Sequence, residues 1–112
     1  MTEFTVERTE RGIGVIRPVG RLTMVSAKQL TEAVAGLIDG GTARIAVDLS
    51  QTEFMDSSGL GALVAGLKTT RQAGGDLRLA APNEQVLTIL RLTNLDKVLR
   101  PRGSVDEAFD RG

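Results

Sequence analysis

The sequence predicts an α/β fold, a single domain over residues 1–112 with a mixed, mostly parallel β-sheet of four to five strands and about four α-helices packed against it. Three observations lead to this prediction. A length of 112 residues suits one hydrophobic core, and 41% hydrophobic with 25% charged residues is a globular composition. Short apolar runs also alternate with segments of helical periodicity in the order ββαβαβαβα, and such alternation requires crossover connections between parallel strands.

The chain opens with a predicted β-hairpin. Residues 4–6 alternate in strand fashion, residues 10–12 form the turn, and residues 13–19 form a second strand that Gly20 closes. Pro18 cannot donate a backbone hydrogen bond, which predicts that it lies on an edge strand or at a strand end.

A helix and a central strand follow. Ser26 and Gln29 match the pattern of a capping box. Apolar residues between positions 30 and 38 share one helical face, and Gly40 and Gly41 end the helix. Residues 44–49 are apolar on both faces, which predicts a strand in the middle of the sheet.

The second half of the chain repeats this alternation. A helix over residues 56–72 ends at the glycine-containing turn 73–76, and a strand over residues 77–80 follows. Pro82 and Asn83 then begin another helix. Residues 98–100 are predicted as a short fifth strand that Pro101 stops, and Ser104 opens a final short helix through a second capping box.

The composition excludes several classes of function. Fourteen basic residues balance fourteen acidic ones. The sequence therefore predicts no electrostatic patch that would bind nucleic acid or a membrane surface. The chain contains no Cys and no His, which excludes disulfides, thiolate catalysis and a Ser-His-Asp hydrolase and removes the commonest transition-metal ligand. A charged N-terminus and the absence of an apolar run of about 18 residues predict a cytoplasmic protein.

The most informative residues are Asp56, Ser57 and Ser58, which stand where the helix over residues 56–72 begins. A helix N-terminus has unpaired N–H groups and a positive dipole end, so it favours capping oxygens and tolerates a phosphate. Simple helix capping is one interpretation of these three residues. A functional role is the other, because two hydroxyls beside a carboxylate exceed what one cap requires.

The same helix contains Gly59, Gly61 and Gly66, although each glycine costs a helix interior about 1 kcal/mol relative to alanine. One interpretation is that glycine lets the helix lie close to the sheet. Another is that Gly59 and Gly61 keep the first turn bare so that a second protein can approach. The two interpretations are compatible.

A catalytic role for the serines lacks a base. Lys68 lies about three turns away on the same helix, and no spacing links Lys28 or Lys97 to Ser57. The phosphate-binding pattern GxxxxGK[ST] is absent, and Asp48 lacks the acidic pair that a response-regulator phosphoacceptor needs to hold Mg²⁺. We therefore predict no catalytic residue, no cofactor and no metal site.

The segment FMDSSGLG, residues 54–61, resembles the phosphoacceptor motif of bacterial anti-sigma factor antagonists, which are small STAS-domain proteins. Other parts of the chain resemble this family in the same order. Gly20-Arg21-Leu22 is similar to its G-x-L turn, residues 44–49 to its central strand, and residues 73–77 to its G-G turn. Residues 82–90 resemble the following helix, and residues 92–95 its L-x-x-L end.

The resemblance implies a partner-switching protein that is not an enzyme. The unphosphorylated antagonist would bind an anti-sigma factor, a serine kinase of the histidine-kinase-like ATPase fold, and thereby release a sigma factor. The kinase would phosphorylate Ser57, and a PP2C-type phosphatase would restore the hydroxyl. Because the ends of parallel strands share one edge of the sheet, the expected partner-binding residues are Leu22, Thr23, Met24, Ser26, Asp56, Ser57, Ser58, Gly59, Leu60 and Gly61.

One position departs from the family pattern, because Thr23 stands where many members have Asp after the G-x-L turn. This change bears on which anti-sigma factor is recognised. The resemblance implies a monomer or weak dimer. Two alternatives remain open, a STAS subunit of a larger signalling or transport complex and a small-molecule binding domain.

Overall fold

The computed structural model describes residues 3–109, which form ten elements of secondary structure. The strands are β1 (Glu3–Arg8), β2 (Gly14–Leu22), β3 (Arg44–Asp48), β4 (Thr52–Met55) and β5 (Asp76–Ala80). The helices are α1 (Met24–Asp39), α2 (Ser57–Gln72), α3 (Glu84–Leu92), α4 (Asp96–Leu99) and α5 (Val105–Ala108).

The strands form one mixed sheet in the order β1-β2-β3-β5, with β4 paired to β2. Only the β1–β2 hairpin is antiparallel, whereas β2–β3, β2–β4 and β3–β5 are parallel. The predicted α/β class and the mostly parallel sheet are confirmed. The strand over residues 44–48 lies in the interior of the sheet as predicted.

Strand β2 changes partner along its length. Its first residues, Gly14 to Ile16, pair with β3, and its last residues, Gly20 to Leu22, pair with β4. Pro18 lies in the gap between these two pairings, and its carbonyl accepts a hydrogen bond of 3.0 Å from the Thr52 hydroxyl. The prediction of an edge strand or strand end at Pro18 is wrong. Pro18 lies where β2 changes partner from β3 to β4, so no strand there requires a hydrogen bond from a backbone N–H at this position.

The strands differ from the prediction at two further places. Residues 52–55, between the predicted central strand and the helix over residues 56–72, form β4, a four-residue strand that the sequence does not predict. Residues 98–100, predicted as a strand, instead end α4 and enter a turn in which Arg100 has φ 45°. Leu95, Val98 and Leu99 have the i, i+3, i+4 spacing of a helix, and this spacing decides their structure.

Most of the core lies on one face of the sheet, where residues of α1 to α4 pack against alternate strand residues. Ile45 and Val47 of β3 point to this face. Ala46 points to the other face, where a smaller cluster with Ile13 and Val15 is covered by Ala108 of α5. The second face therefore leaves room for polar side chains at the ends of its strands.

Candidate functional site

Two turns meet at the carboxyl ends of β2 and β4. Leu22 and Met55 are register partners in this parallel pair, so the residues that follow them, Thr23 and Asp56, leave the sheet side by side. A hydrogen bond of 3.3 Å from the Asp56 N–H to the Leu22 carbonyl joins the turns. The first turns of α1 and α2 are thereby held next to each other, as parallel strand ends predict.

Asp56 caps helix α2. Its Oδ1 accepts a hydrogen bond of 3.1 Å from the Gly59 N–H, and its carbonyl accepts one of 3.0 Å from the Leu60 N–H. One carboxylate thus satisfies the cap, and neither serine is needed for it. The capping interpretation holds for Asp56 alone.

The two serines differ in exposure. Ser57 is exposed and Ser58 is half-buried. Within residues 3–109, neither hydroxyl makes a hydrogen bond to another residue. The Ser57 oxygen is therefore accessible, uncommitted and located at the positive end of a sixteen-residue helix.

The glycines of α2 serve different purposes. A Cβ on Gly59 would collide with the Leu22 carbonyl and would lie 2.7 Å from Cγ of Met55, so this glycine permits close packing. Gly66 does the same against Leu77, whose Cδ1 would be 2.8 Å away. Gly61 faces open space, with no atom within 4 Å of such a Cβ. Close packing accounts for Gly59 and Gly66, and only Gly61 leaves bare surface beside Ser57.

Helix α1 begins earlier than predicted. Thr23 is its N-cap residue, and Ser26 occupies the third helical position. The Ser26 hydroxyl accepts a hydrogen bond of 2.8 Å from the Thr23 N–H and donates one of 2.8 Å to the Arg21 carbonyl. The predicted capping box of Ser26 and Gln29 is wrong, because the Ser26 hydroxyl bonds back to Thr23, the N-cap residue of the helix.

The structure corrects the set of predicted contact residues. The side chains of Leu22 and Ser26 are buried at 0% and 2% exposure, and Gly59 is buried as well. They support the turns from beneath and cannot contact a partner. Met24, Ser57 and Gly61 are exposed. The half-buried members of the set are Thr23, Asp56, Ser58 and Leu60.

Two apolar side chains stand out at the start of α1. Met24 is 74% exposed and Val25 is 75% exposed, although side chains of this type are usually buried. The sequence places both in the turn but cannot tell which side of the helix is uncovered. Beside the neighbouring turn, the Arg21 guanidinium lies 4.5 Å from the centre of the Phe54 ring.

Asp48 adds no free negative charge to this site. It lies two residues after Ala46, on the sheet face opposite α2, where its Oδ2 accepts a hydrogen bond of 2.8 Å from Nε of Arg17. Burial acts to raise the pKa of Asp48, but hydrogen bonds from the Ser50 N–H and from Arg17 outweigh it and hold that pKa below its ordinary value.

Residues 3–109 contain no group of three or more acidic, His or Cys side chains that could hold a metal ion. Lys68 lies eleven positions after Ser57 on α2, or about 16 Å along the helix axis. In the same residues, the helices are too short or too polar to cross a bilayer.

The fold and the site define a small α/β domain that presents an accessible serine at a helix start beside exposed apolar residues. The family model of the STAS domain matches residues 5–108, and the chain belongs to this family.

Individual proteins similar to this chain include anti-sigma factor antagonists. A candidate anti-sigma factor antagonist of Thermotoga maritima is 37% identical over 73 residues, which cover 65% of each chain. The aligned region thus spans slightly less than two thirds of that relative. The anti-sigma-B factor antagonist of Bacillus subtilis is 30% identical over 94 residues, which cover 84% of each chain.

Solved structures agree with the fold. The crystal structure of a candidate anti-sigma factor antagonist from Thermotoga maritima has a TM-score of 0.85 at 30% identity, covering 94% of this chain and 90% of that one. That of an anti-sigma factor antagonist from Mycobacterium paratuberculosis has a TM-score of 0.84 at 27% identity, covering 96% and 91%.

Proposed function

We propose that this protein is an anti-sigma factor antagonist whose binding is switched off by phosphorylation of Ser57. In the unphosphorylated state it binds an anti-sigma factor and so releases a sigma factor for transcription. The exposed Ser57 hydroxyl at the start of α2, which has no hydrogen-bond partner within residues 3–109, is the observation that supports this role best.

The proposed contact surface consists of Thr23, Met24 and Val25 together with residues 56–61 as far as they are exposed. Met24 and Val25 supply apolar area, and Gly61 leaves the first turn of α2 open for close approach. An interface of this kind has apolar residues at its centre and polar residues around them. The hydroxyl of Ser57 would then be enclosed by the partner.

Phosphorylation at Ser57 changes this surface without changing the fold. A phosphoserine carries about −1.5 to −2 charges at neutral pH, and the N-terminus of α2 favours negative charge. A partner that buries the neutral hydroxyl would have to desolvate this anion, which costs several kcal/mol unless it is paired. A loss of about 3 kcal/mol weakens binding more than 100-fold.

The chain itself has no catalytic residue in this scheme. The anti-sigma factor is a serine kinase of the histidine-kinase-like ATPase fold that phosphorylates Ser57, and a PP2C-type phosphatase removes the phosphate. Both reactions require an accessible acceptor, which supports Ser57 over the half-buried Ser58. We propose that the protein acts in the cytoplasm.

A pull-down from the native host with purified Ser57→Ala protein tests this function, with Ser57→Asp as the negative arm and Ser58→Ala as the matched control. Ser57→Ala and Ser58→Ala should retain an ATPase of the expected fold, and Ser57→Asp should lose it. Equal retention by Ser57→Asp would contradict charge gating. A phosphate located by mass spectrometry at Ser58 would overturn the choice of acceptor.

A further inference from the structure

The outer edge of β1 offers backbone hydrogen-bonding groups that are free of other described residues. The Thr9 N–H donates to the Ile13 carbonyl over 2.8 Å at the end of the β1–β2 hairpin. Antiparallel pairs alternate between hydrogen-bonded and non-hydrogen-bonded residues, so the backbone groups of Phe4, Val6 and Arg8 point away from β2. No backbone hydrogen bond reaches them from elsewhere in residues 3–109.

The other two edges of the sheet are covered. The Gln85 side chain accepts from the Met55 N–H over 3.0 Å and donates to the Met55 carbonyl over 2.9 Å, and Asn83 donates to the Thr52 carbonyl over 3.2 Å. On β5, the Arg102 backbone donates to Leu79 over 3.0 Å and accepts from Ala81 over 2.7 Å. Proteins usually protect the edges of their sheets. Unlike the edges at β4 and β5, the edge at β1 has no such protection from the described residues.

We propose that β1 pairs with β1 of a second copy of this chain, antiparallel and centred on Val6. In this register the residues whose backbone groups point away from β2 lie opposite each other in the two strands. Val6 is opposite Val6, and Phe4 is opposite Arg8. On the other face of the strands, Thr5 stands opposite Glu7. A twofold axis through Val6 makes the interface self-complementary, as closed dimers require.

Charge and strand length select this register over its neighbours. A shift of two residues in one direction places Glu7 opposite Glu7 of the second copy, and a shift in the other direction leaves Arg8 without an opposite residue in β1. Like charges directly opposite each other destabilise a strand pair. A shift of one residue places the outward-pointing backbone groups of one strand opposite inward-pointing groups of the other. It also moves the side chains of the second strand to the opposite face of the sheet.

A groove beside β1 provides apolar surface for the same contact. Val6 is 48% exposed, and with Ala33, Gly36 and Leu37 of α1 it lines a depression of about 540 Å³. A Cβ on Gly36 would meet no atom within 4 Å, so the groove is open. The second Val6 lies on the α1 face of the sheet in this register and would pack against this surface.

The dimer leaves the phosphoacceptor site accessible. Val6 pairs with Ile16 on β2, which lies six residues before Leu22, or about 20 Å along the strand. The dimer would present two copies of the Ser57 surface at its periphery. This inference rests on the β1 edge and is independent of the function proposed for Ser57.

Sedimentation velocity over a wide concentration range tests the dimer. Thr5→Glu places Glu opposite Glu7 twice in the dimer, and we expect the dissociation constant to rise about tenfold. Thr5 pairs with Arg17 within the chain, so the fold tolerates this change. Thr5→Glu combined with Glu7→Lys restores an opposite-charge pair and should restore dimerisation. A sedimentation coefficient that stays monomeric at every concentration would overturn the proposal, as would a double variant as weak as Thr5→Glu.

A cysteine probe reports the location of the contact. The natural sequence has no Cys, so Val6→Cys introduces a single thiol at the proposed twofold axis. A short thiol-reactive cross-linker should join two Val6→Cys chains efficiently. Leu92→Cys, at a position that is 79% exposed on α3, serves as the control and should give only collisional cross-linking. Equal yields from the two variants would contradict a contact through β1.

Discussion

The Leu22 carbonyl accepts a hydrogen bond of 3.3 Å from the Asp56 N–H, which joins the end of β2 to the residue that caps α2. Gly59, in the first turn of the helix, packs against the same carbonyl. The position of the Ser57 turn is therefore fixed by the strand that also leads into Met24 and Val25. The two halves of the proposed contact surface are therefore joined directly through the backbone.

Gly59 and Gly61 should respond differently to substitution. Gly59→Ala places a Cβ against the Leu22 carbonyl and Met55, and overpacking of this kind costs about 1–3 kcal/mol of unfolding free energy. Gly61→Gln adds a side chain where space is open and should keep or raise stability by up to about 1 kcal/mol. Urea denaturation measures both effects. Binding to the anti-sigma factor should weaken at least tenfold in Gly61→Gln, and unchanged affinity would remove Gly61 from the contact surface.

Loss of the Asp56 cap should destabilise α2. Asp56→Ala removes the acceptor of the Gly59 N–H and should lower the unfolding free energy by about 1 kcal/mol. Asp56→Asn keeps a capping oxygen without the charge and is the matched control, with stability close to that of the natural protein. Equal destabilisation by the two variants would mean that the charge of Asp56, rather than its cap, holds the helix.

Asp48 should make stability dependent on acid pH. Its pKa is lowered in the folded state, so its contribution is present above the ordinary carboxyl pKa of 3.8 and is lost as the pH falls through the folded pKa. The difference in unfolding free energy between the natural protein and Asp48→Asn should be larger at pH 7 than at pH 2. Asp39→Asn, at an exposed position, is the control. A pH-independent difference for Asp48→Asn would contradict the role of its ion pair with Arg17.

The exposed apolar residues at the start of α1 should matter for binding and little for stability. Val25→Asp alters a side chain that is 75% exposed, so unfolding free energy should change by no more than about 0.5 kcal/mol. Affinity for the anti-sigma factor should fall at least tenfold in a calorimetric titration. Leu92→Asp, equally exposed on α3, should bind normally, and a matching loss there would point to nonspecific effects.

The sequence predicted the elements with strong local patterns and missed those decided by long-range contacts. Asn83 and Ser104 cap α3 and α5 as their spacing indicates, with accepted hydrogen bonds of 3.0 and 3.3 Å. Strand β4 was missed because it is four residues long, and its only strand partner in the described chain is β2, thirty or more positions away. No local propensity reports such a pairing.

The candidate site was likewise predictable only where local sequence patterns determine it. Local rules placed Asp56, Ser57 and Ser58 at a helix start, and the structure confirms that position. They could not show that Leu22 and Ser26 are buried, because burial there depends on how α1 and α2 pack together. The pairing of Asp48 with Arg17 spans 31 residues and likewise has no signature in the nearby sequence.

The Gln85 amide imitates an adjacent peptide group, since it satisfies both the N–H and the carbonyl of Met55. Strand β4 therefore needs no further strand beside it to complete the backbone of its last residue. The segment that carries Ser57 is held against the start of α3 by the side chains of Gln85 and Asn83. Under the proposed function, a kinase or phosphatase would therefore meet a preformed surface, and binding would not carry the entropic cost of ordering a loop.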